Sequence, residues 1–159
     1  MPEPATAPSQ PLLDDETRGF VRRVLSAGLL GIDDIKKVVA SLMSDDNNAF
    51  TPKRLAEGLV GAGELTRWQA SKLLAGKSKG FFLGSYKLLR PLGKGGMGVV
   101  YLGEHHVMKR QMALKVLPSD ALKDERRIDR FKEEARASAQ LDHPNIVRAY
   151  DFNEASSKL

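Results

Sequence analysis

Apolar residues recur at helical spacing in the first half of the chain. Two stripes have members three and four positions apart: Phe20, Val21, Val24 and Leu25 in the first, and Ile35, Val38, Val39 and Leu42 in the second. This spacing brings apolar side chains to one face of a helix, so the stripes predict two amphipathic helices. Gly28 and Gly31 separate them, and Asp33 is the candidate N-cap of the second helix.

Two further helices are predicted from their start signals. Thr51 is an N-cap residue followed by Pro52 at the first helical position. Thr66 and Gln69 have the spacing of a capping box, and Gly76 is placed to end that helix. Three apolar residues of the fourth helix have the spacing of a core rather than of a ligand-binding box: Trp68, Leu73 and Leu74. Residues 14–76 are therefore predicted to form a small bundle of four helices.

The pattern changes to period two after a short linker, residues 77–84. The predicted strands are Tyr86–Leu92, Val99–Glu104 and Gln111–Leu117. A charged helix is predicted over Asp120–Gln140, and a last strand over Ile146–Phe152. The fold class is therefore α+β: a small N-terminal helical bundle is followed by an antiparallel sheet with one helix, which together occupy residues 85–159.

The composition excludes several classes of protein. Hydrophobic residues make up 42% and charged residues 28% of the chain, as in soluble globular proteins. Residues 1–13 contain four of the eight prolines and are predicted to be a disordered leader. The absence of cysteine excludes disulfides and thiolate metal sites. No apolar run is long enough to span a bilayer and no signal-peptide pattern is present, so a cytoplasmic location is expected.

A formal charge of +5 raises the alternative of a nucleic-acid partner. The cations are interleaved with acids, as in residues 123–127, which favours a solvated surface, and we expect no nucleic-acid partner. A metal site is not predicted either. His105 and His106 are adjacent, and neighbours on a strand would point to opposite faces, so a solvent-exposed turn is favoured over a metal site. The acidic run 45–48 lacks the glycine and glutamate of a calcium-binding loop and is predicted to be a turn.

Candidate chemistry centres on three glycines, Gly93, Gly95 and Gly98, at the spacing of a phosphate-cradling loop. A β-rich run, residues 99–102, follows at once, whereas a dinucleotide-binding loop would open a helix. A Walker loop is excluded because Lys94 is followed by glycine rather than by Ser or Thr. The pattern predicts a hairpin folded over a nucleotide.

A triphosphate also needs a fixed cation, and Lys115 is the candidate. Alternation along its strand puts Ala113 and Lys115 on one face. In the following helix, Glu134 lies about 60° from Phe131 and borders the apolar stripe, whereas Glu133 lies about 160° away and faces solvent. The sequence therefore predicts that Glu134, and not Glu133, pairs with Lys115.

Together these elements resemble the protein kinase family, specifically the bacterial serine/threonine kinases that share the eukaryotic fold. The matching elements are the G-x-G-x-x-G-x-V loop at 93–100, the V-A-I-K strand at 112–115 with methionine in place of valine, the helix segment 130–135, and the connection 143–147. The resemblance covers about residues 84–159 and implies a truncated kinase N-lobe. The helical region more weakly resembles segments that precede some bacterial kinase domains, which implies a regulatory module that binds a protein partner.

The resemblance implies ATP and Mg²⁺ as cofactors and transfer of the γ-phosphoryl group to Ser or Thr of protein substrates. It implies that Lys115 holds the α and β phosphates and that Glu134 orients Lys115, as the catalytic pair. Leu92, Val100 and Ala113 would enclose the adenine. The implied nucleotide-binding set is Leu92, Gly93, Lys94, Gly95, Gly96, Met97, Gly98, Val100, Ala113 and Lys115.

The family's H-R-D base and its magnesium ligands belong to a helical lobe that this sequence does not contain. No metal ligand is therefore predicted within the chain, and the chain alone is expected to be an inactive fragment of a longer kinase. Such a kinase could be membrane-anchored beyond Leu159. The alternative is a non-catalytic interaction module with a partial nucleotide site.

Overall fold

The computed structural model of the protein describes residues 14–45, 50–146, 149–150 and 152. These residues fall into two compact units that divide between Ser78 and Lys79. The first unit contains four helices: α1 (Asp15–Ser26), α2 (Ile32–Asp45), α3 (Pro52–Gly61) and α4 (Arg67–Leu74). The second contains a four-stranded sheet and one long helix. The predicted α+β class is confirmed.

The helical unit is built around a small apolar core. Phe20 and Val24 of α1, Leu55 and Leu59 of α3, and Leu73 of α4 are completely buried. Each buried side chain of this size contributes about 1.5–3 kcal/mol relative to an exposed one. This core explains why short helices that would be marginal in isolation are stable here.

Polar side chains tie the ends of these helices together. The buried Thr17 hydroxyl donates to the Phe50 carbonyl at 3.1 Å, and Arg23 Nε donates to the Leu73 carbonyl at 3.1 Å. The Leu73 carbonyl lies in the last turn of α4 and also accepts from Gly76 N at 3.1 Å, so Arg23 is a second donor at this helix end. Arg23 therefore both caps α4 and links it to α1.

The predicted caps of α3 and α4 are confirmed. The Thr51 hydroxyl accepts from Arg54 N at 3.2 Å, ahead of Pro52. Thr66 and Gln69 form the reciprocal capping box, with bonds of 2.9 and 3.2 Å. Gly76 follows α4 with φ of 84°, a left-handed conformation that favours glycine.

Other predictions for this unit were wrong in detail. Helix α2 begins at Ile32, so Asp33 and Asp34 both lie in its first turn, and the capping hydrogen bond is made by Asp34, whose Oδ2 accepts from Gly31 N at 3.1 Å. Leu25 and Leu74 are exposed, because each follows a buried residue by one position and is turned about 100° off the core face. Trp68 is only partly buried. The predicted turn at 45–48 lies almost entirely outside the described residues.

The sheet has four antiparallel strands in the order in which they occur in the chain. They are β1 (Phe82–Leu83), β2 (Tyr86–Gly95), β3 (Gly98–His105) and β4 (Gln111–Val116). β1 lies within the predicted linker, where a two-residue strand leaves no periodic signal. It extends the sheet by pairing with β2. Next to it, Phe81 is buried, and its carbonyl accepts from Leu88 N at 2.8 Å.

The segment after the sheet also differs from the prediction. A short 3-10 helix (Ala121–Lys123) comes first, and α5 (Glu125–Gln140) starts separately, with Asp124 as its N-cap. The predicted strand at Ile146–Phe152 lies partly outside the described residues. Its described members, Ile146, Ala149, Tyr150 and Phe152, are not in a strand. Among the described residues, no strand pairs with β4 on its outer side, so β4 is an edge strand.

The two adjacent histidines have backbone partners. Their rings stack with centroids 5.4 Å apart, because the strand ends at His105 and His106 begins the turn. Nδ1 of His105 accepts from Val107 N and Met108 N, and Nδ1 of His106 lies 2.9 Å from the Ser85 carbonyl. His106 is therefore an exposed turn residue, as predicted, whereas His105 is the last residue of β3.

Within the described part of the chain, no helix has the length and apolar character that crossing a bilayer requires.

The cap of α1 generates a pH-dependent prediction. Asp14 accepts from Thr17 N at 2.7 Å, and the hydrogen bonds from Thr17 hold the pKa of Asp14 below its ordinary value of 3.8. The cap therefore contributes stability fully above about pH 4, and that contribution is lost as the pH falls through the lowered pKa. Asp14→Ala should lower the melting temperature of the helical unit at pH 7, and the difference from wild type should shrink below pH 4.

Fluorescence of the single tryptophan, Trp68, reports unfolding of this unit. The matched control is Asp15→Ala, which removes the same charge one residue later, where the carboxylate forms only an exposed ion pair with Arg18. A pH-independent deficit in Asp14→Ala would contradict the assignment of the charged cap.

Candidate functional site

The glycine-rich segment forms the hairpin between β2 and β3. Gly95 pairs with Gly98, so the connection consists of Gly96 and Met97 alone. The register shifts between Pro91 and Gly93, which places Leu92 in an irregularity of β2, where it is 45% exposed. The predicted arrangement of strand, glycine loop and strand is therefore present.

The glycines of this hairpin have different structural reasons to be glycine. Gly98 is buried with φ of 152°, and a Cβ there would overlap the Val116 carbonyl oxygen of β4. At Gly93, Gly95 and Gly96 a Cβ would meet nothing within 4 Å, and none has positive φ. Packing explains Gly98, whereas the other three leave the backbone open to close approach from outside.

Lys115 lies on β4 directly opposite Val100 of the hairpin, and Ala113 lies opposite Leu102. Directly opposed residues of an antiparallel pair point to the same face of the sheet. The predicted site residues Val100, Ala113 and Lys115 therefore share one face. Val100 is also paired with Gly93 on β2, so the first glycine of the motif borders the same patch.

Helix α5 holds Lys115 from above this face. Lys115 Nζ donates to Glu134 Oε1 in a short ion pair, and the same ammonium lies 5.8 Å from the centroid of the Phe131 ring. Phe131 and Glu134 are three residues apart and thus neighbours on one face of the helix. The pairing that the helical phase predicts is formed, while Glu133 is exposed.

Phe131 is a contact that the sequence-based site did not include. It appeared only as a member of the apolar stripe, although its position one turn before Glu134 was the signal that could have identified it. Its ring also lies 5.8 Å from that of Phe152. One side of Lys115 is therefore bounded by a carboxylate and another by an aromatic face.

The ion pair fixes geometry more than it stabilises the fold. The side chains of Lys115 and Glu134 are 33% and 41% exposed, and pairs of this exposure contribute about 0–1 kcal/mol. Only one oxygen of Glu134 is used, since Oε2 is buried without a hydrogen-bond partner among the described residues. Because of this pair, both β4 and α5 determine the position of the Lys115 ammonium.

The residues present fit the phosphate end of a nucleotide. Three glycines offer backbone that a side chain does not cover, and a positioned ammonium lies on the adjoining strand. Preorganised N–H donors and a fixed cation are the groups that stabilise phosphoryl charge. Among the described residues, no group of three or more His, Cys, Asp or Glu side chains is close enough to hold a metal ion.

Comparison with known proteins matches residues 86–159 to the protein kinase domain family. The chain is 46% identical over 71 residues to serine/threonine-protein kinase PrkC of Bacillus subtilis, which covers 45% of this chain and 11% of that protein. It is 47% identical over 72 residues to serine/threonine-protein kinase pkn2 of Myxococcus xanthus, covering 45% of this chain and 9% of that protein. The chain thus spans about a tenth of the length of these relatives.

Among solved structures, the chain is similar to the kinase domain of Mycobacterium tuberculosis PknI. The sequence identity is 35%, the TM-score is 0.37, and the match covers 46% of this chain and 30% of the PknI domain.

The contrast between the glycines generates a stability prediction. Gly98→Ala should destabilise the sheet by at least about 2 kcal/mol, because it adds a clash with the backbone of β4 to an unfavourable φ. Its matched control, Gly96→Ala, should not destabilise the chain and should raise stability by up to about 1 kcal/mol, because a Cβ there meets no neighbour and alanine loses less conformational entropy on folding. The measurement is amide hydrogen exchange of β3 and β4 in the full chain, because Trp68 reports only on the helical unit. Equal protection in the two variants would contradict this account of Gly98.

Proposed function

Because residues 86–159 match the protein kinase domain family, we propose that this segment is the ATP-binding part of a serine/threonine protein kinase. The reaction is transfer of the ATP γ-phosphoryl group to a Ser or Thr hydroxyl of a protein substrate. The observation that carries the proposal is the ion pair of Lys115 with Glu134, made on the face that Lys115 shares with Val100 of the glycine hairpin.

Each residue has a role in this proposal. Lys115 binds the α and β phosphates as a point charge, and Glu134 keeps the ammonium at that position. The backbone of 93–98, Lys94 and Met97 included, covers the phosphates, with Gly93, Gly95 and Gly96 allowing close approach. Val100 and Ala113 form the apolar floor for the adenine, and Leu92 joins them from β2.

Positioning is what these residues contribute to the reaction. A phosphoryl transfer requires the nucleotide held in line with the acceptor and the developing charge neutralised. Mg²⁺, when bound, neutralises phosphate charge, and its usual kinase ligands, like the H-R-D base, have no counterpart in this sequence. We therefore propose that the chain by itself does not transfer phosphate and acts as one part of a complete kinase domain.

The first test removes the cation. In a protein that carries this chain together with the rest of a kinase domain, Lys115→Met should lower kcat/KM for substrate phosphorylation at least about a hundredfold, the usual effect of losing one preorganised charge-stabilising group. Stability should change by no more than about 1 kcal/mol, since the ion pair is partly exposed. A radiolabelled ATP assay, with thermal unfolding as the folding check, measures both. Retained activity would remove Lys115 from the mechanism.

The second test compares neighbouring carboxylates on α5. Glu134→Gln keeps the shape of the side chain but removes the charge that holds Lys115, and should lower kcat/KM at least about tenfold. Glu133→Gln makes the same change one residue earlier on the exposed face, and should stay within about twofold of wild type. The same assay applies. The reverse ranking would show that the ion pair has no part in the reaction.

A further inference from the structure

The tip of the glycine hairpin has a contact with α5 that is separate from the Lys115–Glu134 pair. Arg127, in the first turn of α5, extends Nη2 to within 3.5 Å of the Gly96 carbonyl oxygen. Its Nη1 lies 3.5 Å from Asp120 Oδ2, on the segment that leads into the helix. The guanidinium thus bridges a carboxylate on one side and the loop backbone on the other.

The Arg127 contact involves the glycine loop, whose glycine positions 93, 95 and 96 have no side chains packed against them. A Cβ added at Gly93, Gly95 or Gly96 would have no neighbouring atom within 4 Å. The Arg127 contact acts on the backbone of Gly96, one of the two residues that turn the hairpin. The Arg127 contact is therefore positioned to favour one conformation of the turn.

Fixing the Gly96 carbonyl also fixes a donor. The described peptide bonds are all trans, and in a planar trans peptide the carbonyl and the following N–H point in opposite directions. When Arg127 holds the Gly96 carbonyl toward α5, the Met97 N–H is directed away from α5. Backbone N–H groups of this loop are the proposed phosphate donors, so their direction affects nucleotide affinity.

We propose that Arg127 is a positioning residue that sets the glycine loop for nucleotide binding, with Asp120 orienting its guanidinium. The inference rests on the proposed function and extends it to a residue outside the Lys115–Glu134 pair. Arg127 links the loop tip to the same helix that positions Lys115. The phosphate-facing backbone and the phosphate-binding lysine are thereby both held by α5.

The first readout does not depend on activity. In the full 159-residue chain without nucleotide, Arg127→Ala should speed amide hydrogen exchange of residues 95–98 about three- to tenfold, as expected for the loss of one exposed charge-assisted hydrogen bond. Arg126→Ala removes the same charge one residue earlier, and should leave exchange of the loop unchanged. Equal exchange in wild type and both variants would overturn the proposal.

The second readout uses a protein with the complete kinase domain. Arg127→Ala should raise KM for ATP about three- to tenfold with kcat within about twofold, Arg127→Lys should recover part of the loss, and Asp120→Asn should give a smaller change in the same direction. Unchanged KM in Arg127→Ala would overturn the positioning role. A wild-type protein that neither binds ATP nor phosphorylates substrate would instead refute the proposed function, and the exchange measurement would still decide whether Arg127 holds the loop.

Discussion

The ion pair between Lys115 and Glu134 is the constraint on which the candidate site depends. It joins β4 to α5, and the cross-strand pairing of Lys115 with Val100 carries its position to the glycine hairpin. An isolated ammonium on a half-exposed strand would sample many rotamers, because lysine has a long flexible side chain. The carboxylate and the Phe131 ring restrict that freedom. The ion pair therefore gives the Lys115 ammonium a defined position.

The hairpin shows how one sequence motif serves two purposes. Gly98 is required by the fold, since its backbone conformation and the nearby Val116 carbonyl leave no room for a side chain. Gly93, Gly95 and Gly96 are not required by any neighbour that the structure describes. Their cost is the conformational entropy that glycine loses on folding, roughly 0.5–1 kcal/mol each relative to alanine. The proposed nucleotide-binding role would account for glycine at these three positions, which no described neighbour requires.

Much of the fold could be predicted from local signals. The Thr51 and Thr66 caps and the three longer strands follow from residue chemistry and period-two alternation, which act over a few positions. The errors have local causes too. Asp34 caps α2 in place of Asp33 because either carboxylate is near the helix start, and only the backbone geometry selects between them. A strand as short as β1 has no period to detect.

The sequence predicted those site residues whose side-chain direction follows from the helical or strand period. Helical phase separated Glu134 from Glu133, and strand alternation placed Ala113 with Lys115. Contacts made across the fold by residues without a motif were not predictable. Phe131 was an apolar stripe residue, and Arg127 was one of several interleaved charges, until the tertiary structure brought them to Lys115 and Gly96. Periodicity gives the direction of a side chain along its own element, but not what it meets on another.

The contacts of α5 with Lys115 and with the glycine loop matter more for geometry than for stability. None of its residues is fully buried, and the described contacts with Lys115 and with the loop are polar or cation–π in kind. Exposed contacts of these types contribute about 1 kcal/mol or less each, whereas fully buried apolar side chains contribute more. They are, however, directional. The helix therefore depends on directional contacts to fix its orientation, and the same contacts determine where the charge and the loop backbone of the candidate site lie.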